Sequence, residues 1–181
     1  MGIFSKLFGG TAAGGALFQM YKAQAEQGFA NAQCTLGMMY SIGNDVPQDY
    51  AEAAYWFRKA AEQDEPFAQY SLGAMYSSGQ GVSQDTAQSL MWIRKAADQA
   101  VADAQFFLGN AYLNGLTGAQ DYVQAMKWYL IAKACGSTLA DHNLQRLESL
   151  LTSAQIAEAQ RLARESLLNP EMRNALLRPT C

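Results

Sequence analysis

The chain has 181 residues, half of them hydrophobic, and carries a formal net charge of −3 with a sequence pI near 5.1. This length fits one domain with a substantial core. The acidic balance argues against a nucleic-acid partner, which would require a basic face, and Lys and Arg are scattered along the chain.

Cysteine usage and apolar runs bear on the cellular compartment. The chain has three cysteines, Cys34, Cys135 and Cys181, and no C-x-x-C pair. An odd number of cysteines without this spacing does not indicate a disulfide framework. No apolar run approaches the roughly 20 residues that a membrane-spanning helix needs. We therefore expect a reduced, cytoplasmic protein.

Residues 1–15 read MGIFSKLFGGTAAGG and predict a flexible leader. Lys6 and several glycines interrupt the apolar residues, so the segment lacks the continuous core of a secretory signal. Its apolar side chains could still contact a membrane. A membrane-proximal assembly factor that docks through this leader is therefore an alternative function.

Residues 16–28 predict a single capping helix before the repeats. Ala25 and Gln27 stand 36 residues before Ala61 and Gln63, near the end of the first repeat. Gly28 follows where a helix commonly ends on a glycine. We interpret the segment as the second half of an incomplete repeat.

A 36-residue pattern then fills residues 29–64, 65–100 and 101–136, and a fixed period of this length is the signature of a stacked repeat. Each copy predicts two helices around a glycine-containing loop, because apolar residues recur at helical spacing on both sides. The recurring positions are Leu36, Leu72 and Leu108; Gly37, Gly73 and Gly109; Tyr40, Tyr76 and Tyr112; Asp49, Asp85 and Asp121; and Trp56, Trp92 and Trp128.

Three local features of the repeat carry structural predictions. A helix-interior glycine costs about 1 kcal/mol relative to alanine, so Gly37 and its counterparts predict a close backbone approach to the paired helix. Gly43, Gly79 and Gly115 predict turns with a positive φ. Asp49, with Glu52 three residues later, predicts a capping box that recurs in the other two copies.

The string A-x-x-x-L-G-x-x-Y-x-x-G-x-G-V-x-x-D-x-x-x-A-x-x-W-x-x-x-A-A resembles the Sel-one-like repeat (SLR) family, a relative of the tetratricopeptide repeat. The middle copy carries it as Ala68, Leu72, Gly73, Tyr76, Gly79, Gly81, Val82, Asp85, Trp92, Ala96 and Ala97. The departures are Asp45 and Thr117 for the second loop glycine, Gly118 for the valine, Ser89 for an alanine and Lys133 for the last alanine. We therefore expect a different shape in the third loop.

The resemblance implies an all-α fold, a right-handed α/α superhelical solenoid of about four antiparallel helix pairs. It also implies a scaffold or adaptor for protein–protein contacts, often in bacteria. Some secreted family members carry a regular cysteine pair in each repeat and bind or cleave β-lactams. That pair is missing here, so a cell-wall or β-lactam hydrolase is less favoured.

Residues 137–168 predict a C-terminal capping helix pair. Ala140 and Leu144 continue the first-helix pattern, and Thr152 opens the last helix with Gln155 at capping-box spacing. Asn169-Pro170 ends that helix, leaving residues 169–181 as a tail.

The candidate binding surface comes from the face of the first helices opposite their core stripe. The resemblance implies that first helices line the concave face of the solenoid. Asn110 and Arg146 could pair with a peptide backbone or a carboxylate, while the aromatic residues could form a groove floor or fill space between neighbouring helices. The candidate partner-binding residues are Met38, Tyr70, Phe106, Asn110, Leu113, His142 and Arg146.

The sequence contains few residues that indicate a catalytic site. His142 is the only histidine, and the chain has neither a phosphate-binding loop nor a dinucleotide fingerprint. We therefore expect no enzyme activity, no cofactor and no metal. The leading interpretation is a cytoplasmic interaction scaffold that binds a protein or peptide partner.

Overall fold

The computed structural model describes residues 12–177 of the chain, and within them every regular element is a helix. The all-α prediction is therefore confirmed. The helices are α1 (Ala12–Glu26), α2 (Ala30–Ile42), α3 (Tyr50–Ala61), α4 (Pro66–Ser78), α5 (Thr86–Asp98), α6 (Ala102–Leu113), α7 (Tyr122–Ala134), α8 (Ala140–Leu150), α9 (Ser153–Leu168) and α10 (Pro170–Leu176).

The chain forms two compact units, Met1–Ser89 and Leu90–Cys181, and their boundary falls inside α5. In the first unit α2 packs against α1 and α3, and α3 packs against α4; in the second, α7 packs against α6, α8 and α9. A core cluster of the first unit contains Phe18, Ala25, Ala32, Leu36, Met39 and Trp56. A core cluster of the second contains Ala125, Met126, Tyr129, Ala132, Ala140, Leu144, Leu147 and Ala159.

The N-terminal helix starts earlier than predicted. Because α1 begins at Ala12, residues 12–15 belong to a helix and not to the leader. Residues 1–11, which carry the apolar leader side chains, lie outside the described residues. Gly28 has φ +95°, which confirms its place just beyond the helix end.

The loops within the repeats follow the predicted turn chemistry. Gly43, Gly79 and Gly115 have φ values of 74°, 73° and 72°. The third loop differs, as expected. Its Gly115 N–H donates to the Tyr112 carbonyl at 3.3 Å, whereas Gly43 and Gly79 donate to the carbonyls of Met39 and Met75. Helix α6 also ends one residue early, and Gly118 follows at φ 129°. The substitutions at positions 117 and 118 thus coincide with a change of backbone course.

The helix caps confirm one half of the predicted capping boxes. The Asp49 carboxylate accepts the N–H groups of Ala51 and Glu52, and the carboxylates of Asp85 and Asp121 each accept one such bond, from Gln88 and Gln124. The other half is wrong, because the Asp49 N–H donates to the Tyr40 carbonyl at 2.9 Å. The counterparts of that bond run from Asp85 to Tyr76 at 3.0 Å and from Asp121 to Tyr112 at 3.1 Å.

These backbone bonds occupy the N–H that a glutamate or glutamine would otherwise reach, and they tie each second helix to the end of the first. The α9 cap has no such competitor. Thr152 and Gln155 form both bonds of the capping box there, as predicted.

The glycines inside the first helices do permit a close approach, but by an aromatic ring and not by backbone. A Cβ added at Gly37 would lie 2.8 Å from Phe57 Cδ1, and one added at Gly109 would lie 2.4 Å from Tyr129 Cε1. The ring from the second helix therefore rests directly on the glycine of the first.

Helices α8 and α9 lie within residues 137–168, and both pack against α7. The tail that follows also contains regular structure. Helix α10 forms within it, and Met172 is buried with 4% of its surface exposed. Residues 178–181, including Cys181, lie outside the described residues.

Candidate partner-binding face

The first unit holds two of the predicted binding residues, Met38 and Tyr70, both partly exposed. The Tyr70 ring lies 6.3 Å from the Phe67 ring. Cys34, Tyr70, Phe106 and His142 stand 36 residues apart and form one row of equivalent positions. Cys34 is buried, and its burial raises the pKa of the thiol, with a further contribution from the Glu65 carboxylate. The row is therefore not a uniformly exposed surface.

In the second unit the predicted apolar residues are half-buried and have a packing role. Phe106 and Leu113 both pack against the core cluster of this unit. The centroid of the Phe106 ring lies 5.6 Å from that of Tyr129. Their outer edges remain exposed, so a role in a groove floor stays a prediction.

Asn110 is held in place by a hydrogen-bond cluster in the second unit. Its Oδ1 accepts the Tyr129 hydroxyl at 2.8 Å and the Asn143 side-chain amide at 3.5 Å. Burial raises the pKa of Tyr129 to about 12, although the Asn143 bond and the Arg146 charge oppose the rise, so the phenol is neutral at physiological pH. Within residues 12–177 nothing accepts the Asn110 amide hydrogens.

His142 and Arg146 are exposed on α8. Arg146 is close enough for its charge to act on the Tyr129 hydroxyl, so it lies near the Asn110 cluster. The second unit thus combines a half-buried apolar surface, an oriented amide and a cationic side chain, which are groups that bind a peptide.

Each repeat contains a buried glutamine that was not predicted from the sequence. The side-chain amides of Gln33, Gln69 and Gln105 donate to carbonyl oxygens eight residues earlier, at Ala25, Ala61 and Ala97, over 3.0, 3.2 and 3.0 Å. Each of these carbonyls already accepts a backbone N–H three residues later, so the glutamine adds a second bond that joins two helices. The 36-residue spacing could have revealed them, because all three stand one residue after a core alanine.

The glutamine of the second unit has an unsatisfied oxygen. Gln33 Oε1 accepts Gln63 Nε2 at 2.7 Å, but Cys135 occupies the position that corresponds to Gln63. Gln105 Oε1 is buried without a hydrogen-bond partner, and so is Trp128 Nε1. Buried polar groups normally have partners, so both atoms are exceptional.

Two kinds of feature are absent from the described residues. No group of three or more His, Cys, Asp and Glu side chains in this part of the chain could hold a metal ion. Among residues 12–177 no helix is long and apolar enough to cross a membrane.

Helix pairs that repeat every 36 residues, with the same cap, turn and buried glutamine, define a tandem α-helical repeat protein. The family model for the Sel1 repeat matches residues 30–65, 66–101 and 102–137. The chain therefore belongs to the Sel1 repeat family, with repeats that begin one residue after the predicted boundaries. No curated protein shows significant similarity to the chain.

Two solved structures are similar to this fold. One is c5321, a protective antigen with an SLR fold from uropathogenic Escherichia coli, with 34% identity and a TM-score of 0.79 over 91% of this chain. Another is a Sel1 repeat protein from Oxalobacter formigenes, with 28% identity and a TM-score of 0.69 over 87% of this chain. The matches span 36% of the first protein and 66% of the second, so both relatives are longer.

Proposed function

We propose that the protein is a cytoplasmic interaction scaffold that binds an extended peptide or a partner helix through the first-helix face of its second unit. Members of the Sel1 repeat family are generally scaffolds for protein–protein interaction. The observation that carries the proposal is the oriented Asn110 amide, whose hydrogens have no acceptor within residues 12–177. No catalytic residue, cofactor or nucleic acid is part of it.

Each group on this face has a distinct task in the proposed complex. The Asn110 amide donates to a peptide carbonyl, and Arg146 pairs with a carboxylate. The exposed edges of Phe106 and Leu113 receive an apolar side chain, and His142 lies at the rim. Met38 and Tyr70, in the first unit, remain candidate contacts of a partner on that unit.

The test must separate binding from folding, and Phe106→Ala cannot do so. Phe106 packs on the core cluster, so its truncation lowers stability whether or not it contacts a partner. Asn110→Asp is sharper, because it keeps an oxygen to accept the Tyr129 hydroxyl and replaces the donating amide group with a charged acceptor oxygen. Arg146→Glu reverses an exposed charge on the same face.

We would purify tagged wild-type protein and these two variants from native cells, with Arg164→Glu on α9 as a matched control at an exposed arginine. A protein that both face variants lose and the control retains would support the proposal. Equal recovery with all four proteins, at unchanged thermal stability, would contradict it.

A further inference from the structure

Helix α10 covers a polar cleft of the second unit. The cleft has a volume of about 220 Å³ and lies between α5, α7, the end of α9 and α10 itself. Arg94, Lys127 and Trp128 line its walls, and Glu171 and Met172 of α10 close it. This surface is separate from the Asn110 face.

A single side chain anchors α10. The helix has seven residues, of which only Met172 is buried, while Leu176 and the following Leu177 are 45% and 75% exposed. Met172 Sδ accepts a weak bond from Gln105 Nε2 at 3.6 Å. A segment with so few buried contacts opens at a small fraction of the global free energy of unfolding.

The groups beneath α10 are incompletely satisfied. Trp128 Nε1–H lacks an acceptor and Gln105 Oε1 lacks a donor, although the two residues are 4% and 0% exposed. A thioether offers neither a hydrogen to the oxygen nor a strong acceptor to the indole. One missing acceptor and one missing donor are what a peptide group supplies through its C=O and N–H.

The charges of the cleft favour an acidic segment. Within residues 12–177, Arg94, Lys127, Asp98 and Glu171 form no ion pair with one another, and Lys127 Nζ lies 4.7 Å from the Trp128 ring centroid. Burial lowers the pKa of Lys127 and the neighbouring Arg94 charge lowers it further, while the Asp98 carboxylate raises it. Without α10 the cleft keeps two cations and one carboxylate, which suits a ligand with an acidic residue.

We propose that this cleft is a second peptide-binding site, which α10 occupies in cis. Its partner is a short segment of another protein in which an acidic residue precedes an apolar side chain of methionine or leucine size, as Glu171 precedes Met172. The partner's apolar side chain replaces Met172. Its backbone is extended and not helical as in α10, so its C=O and N–H groups bond to Trp128 and Gln105. Access requires α10 to leave.

The test uses a fluorescent peptide of the chain's own residues 168–177 (LNPEMRNALL) and three full-length proteins. Met172→Asp releases α10, whereas Leu177→Asp places the same charge on a side chain that is already exposed. We expect the peptide to bind Met172→Asp at least about tenfold more tightly than wild type or Leu177→Asp, because α10 competes in cis at a high effective concentration. The same peptide with serine for methionine should lose this binding.

Two further measurements connect the binding to the cleft. Hydrogen exchange of Met172→Asp should leave the amides of α7 as protected as in wild type and lose protection only in α10. The NMR resonance of the Trp128 indole N–H should shift when the peptide binds.

Three outcomes would overturn the proposal. The first is loss of α7 protection in Met172→Asp, because α10 would then be part of the core. The second is an intact core without peptide binding. The third is binding that leaves the Trp128 indole resonance unchanged.

Discussion

Replacing Cys135 with glutamine should stabilise the second unit. Gln105 Oε1 is buried without a donor, whereas Gln33 Oε1 receives one from Gln63, the residue that corresponds to Cys135. The thiol lies near the Gln105 side chain. Burial, the larger effect, raises the pKa of Cys135, and the Gln105 side chain lowers it. A glutamine side chain at position 135 therefore starts next to the unsatisfied oxygen.

The expected gain follows from three contributions. Satisfying a buried acceptor recovers about 1–3 kcal/mol, and ordering a glutamine side chain costs up to about 1.5 kcal/mol. The half-buried thiol contributes little apolar area to lose. The net gain should be about 1 kcal/mol, equivalent to roughly 2–4 °C in melting temperature for a chain of this size.

Urea unfolding, followed by circular dichroism and tryptophan fluorescence, would measure this gain. Cys135→Glu is the matched control, since it has the same length but turns a carboxylate oxygen towards the Gln105 oxygen. We expect Cys135→Glu to be about 1–3 kcal/mol less stable than Cys135→Gln. If the two variants have equal midpoints, or if Cys135→Met is as stable as Cys135→Gln, the reasoning about the missing donor is wrong.

Other predictions follow from local geometry. Gly109→Ala should cost about 1–3 kcal/mol, because its Cβ would lie 2.4 Å from the Tyr129 ring, whereas Gly15→Ala, with open space, should gain about 0.5–1 kcal/mol in the same urea assay. Ala100 has φ 65°, a left-handed conformation that favours glycine, so Ala100→Gly should stabilise the protein by about 0.5 kcal/mol. Ala87 is exposed in a helix, so the control Ala87→Gly should destabilise the protein. The pKa of Tyr129 is raised to about 12. The stabilising contribution of the neutral phenol is therefore complete below pH 10 and is lost as pH rises through 12. Tyr129→Phe should reduce the fall in melting temperature over this interval.

The helix pairs, turns and aspartate caps could be predicted because each recurs in the same surroundings three times. The bond from the Asp49 N–H to the Tyr40 carbonyl could not, because it depends on where the backbone of one helix end meets the start of the next. The close approach at Gly37 was predicted, but with the backbone of the paired helix as the partner, since only the fold shows that the Phe57 ring reaches the glycine.

The candidate face was harder to predict than the fold. Counting two residues from the core stripe placed Phe106 away from the core, yet its ring contacts Tyr129 on α7. A first helix has neighbours on more than one side, so a single helical stripe underestimates what is buried. The 36-residue period did not predict helix α10, because this helix lies beyond the last repeat and depends on one buried methionine.

Departures from the repeat change the polar contacts of the second unit. Lys133, which replaces a repeat alanine, pairs with Asp141 at 2.6 Å, but both side chains are about half exposed, so the pair contributes little to stability. Cys135 leaves a buried oxygen without its donor, and Asn110 places a polar amide where the other repeats have Met38 and Ala74. A residue that keeps the period is explained by packing, which acts equally on every copy. Hydrogen-bonding atoms without a partner among the described residues also occur where the period is kept, at Trp128 Nε1, and in the second repeat, at Ser89 Oγ. The Asn110 amide differs from these buried atoms because it is partly exposed and therefore accessible from outside.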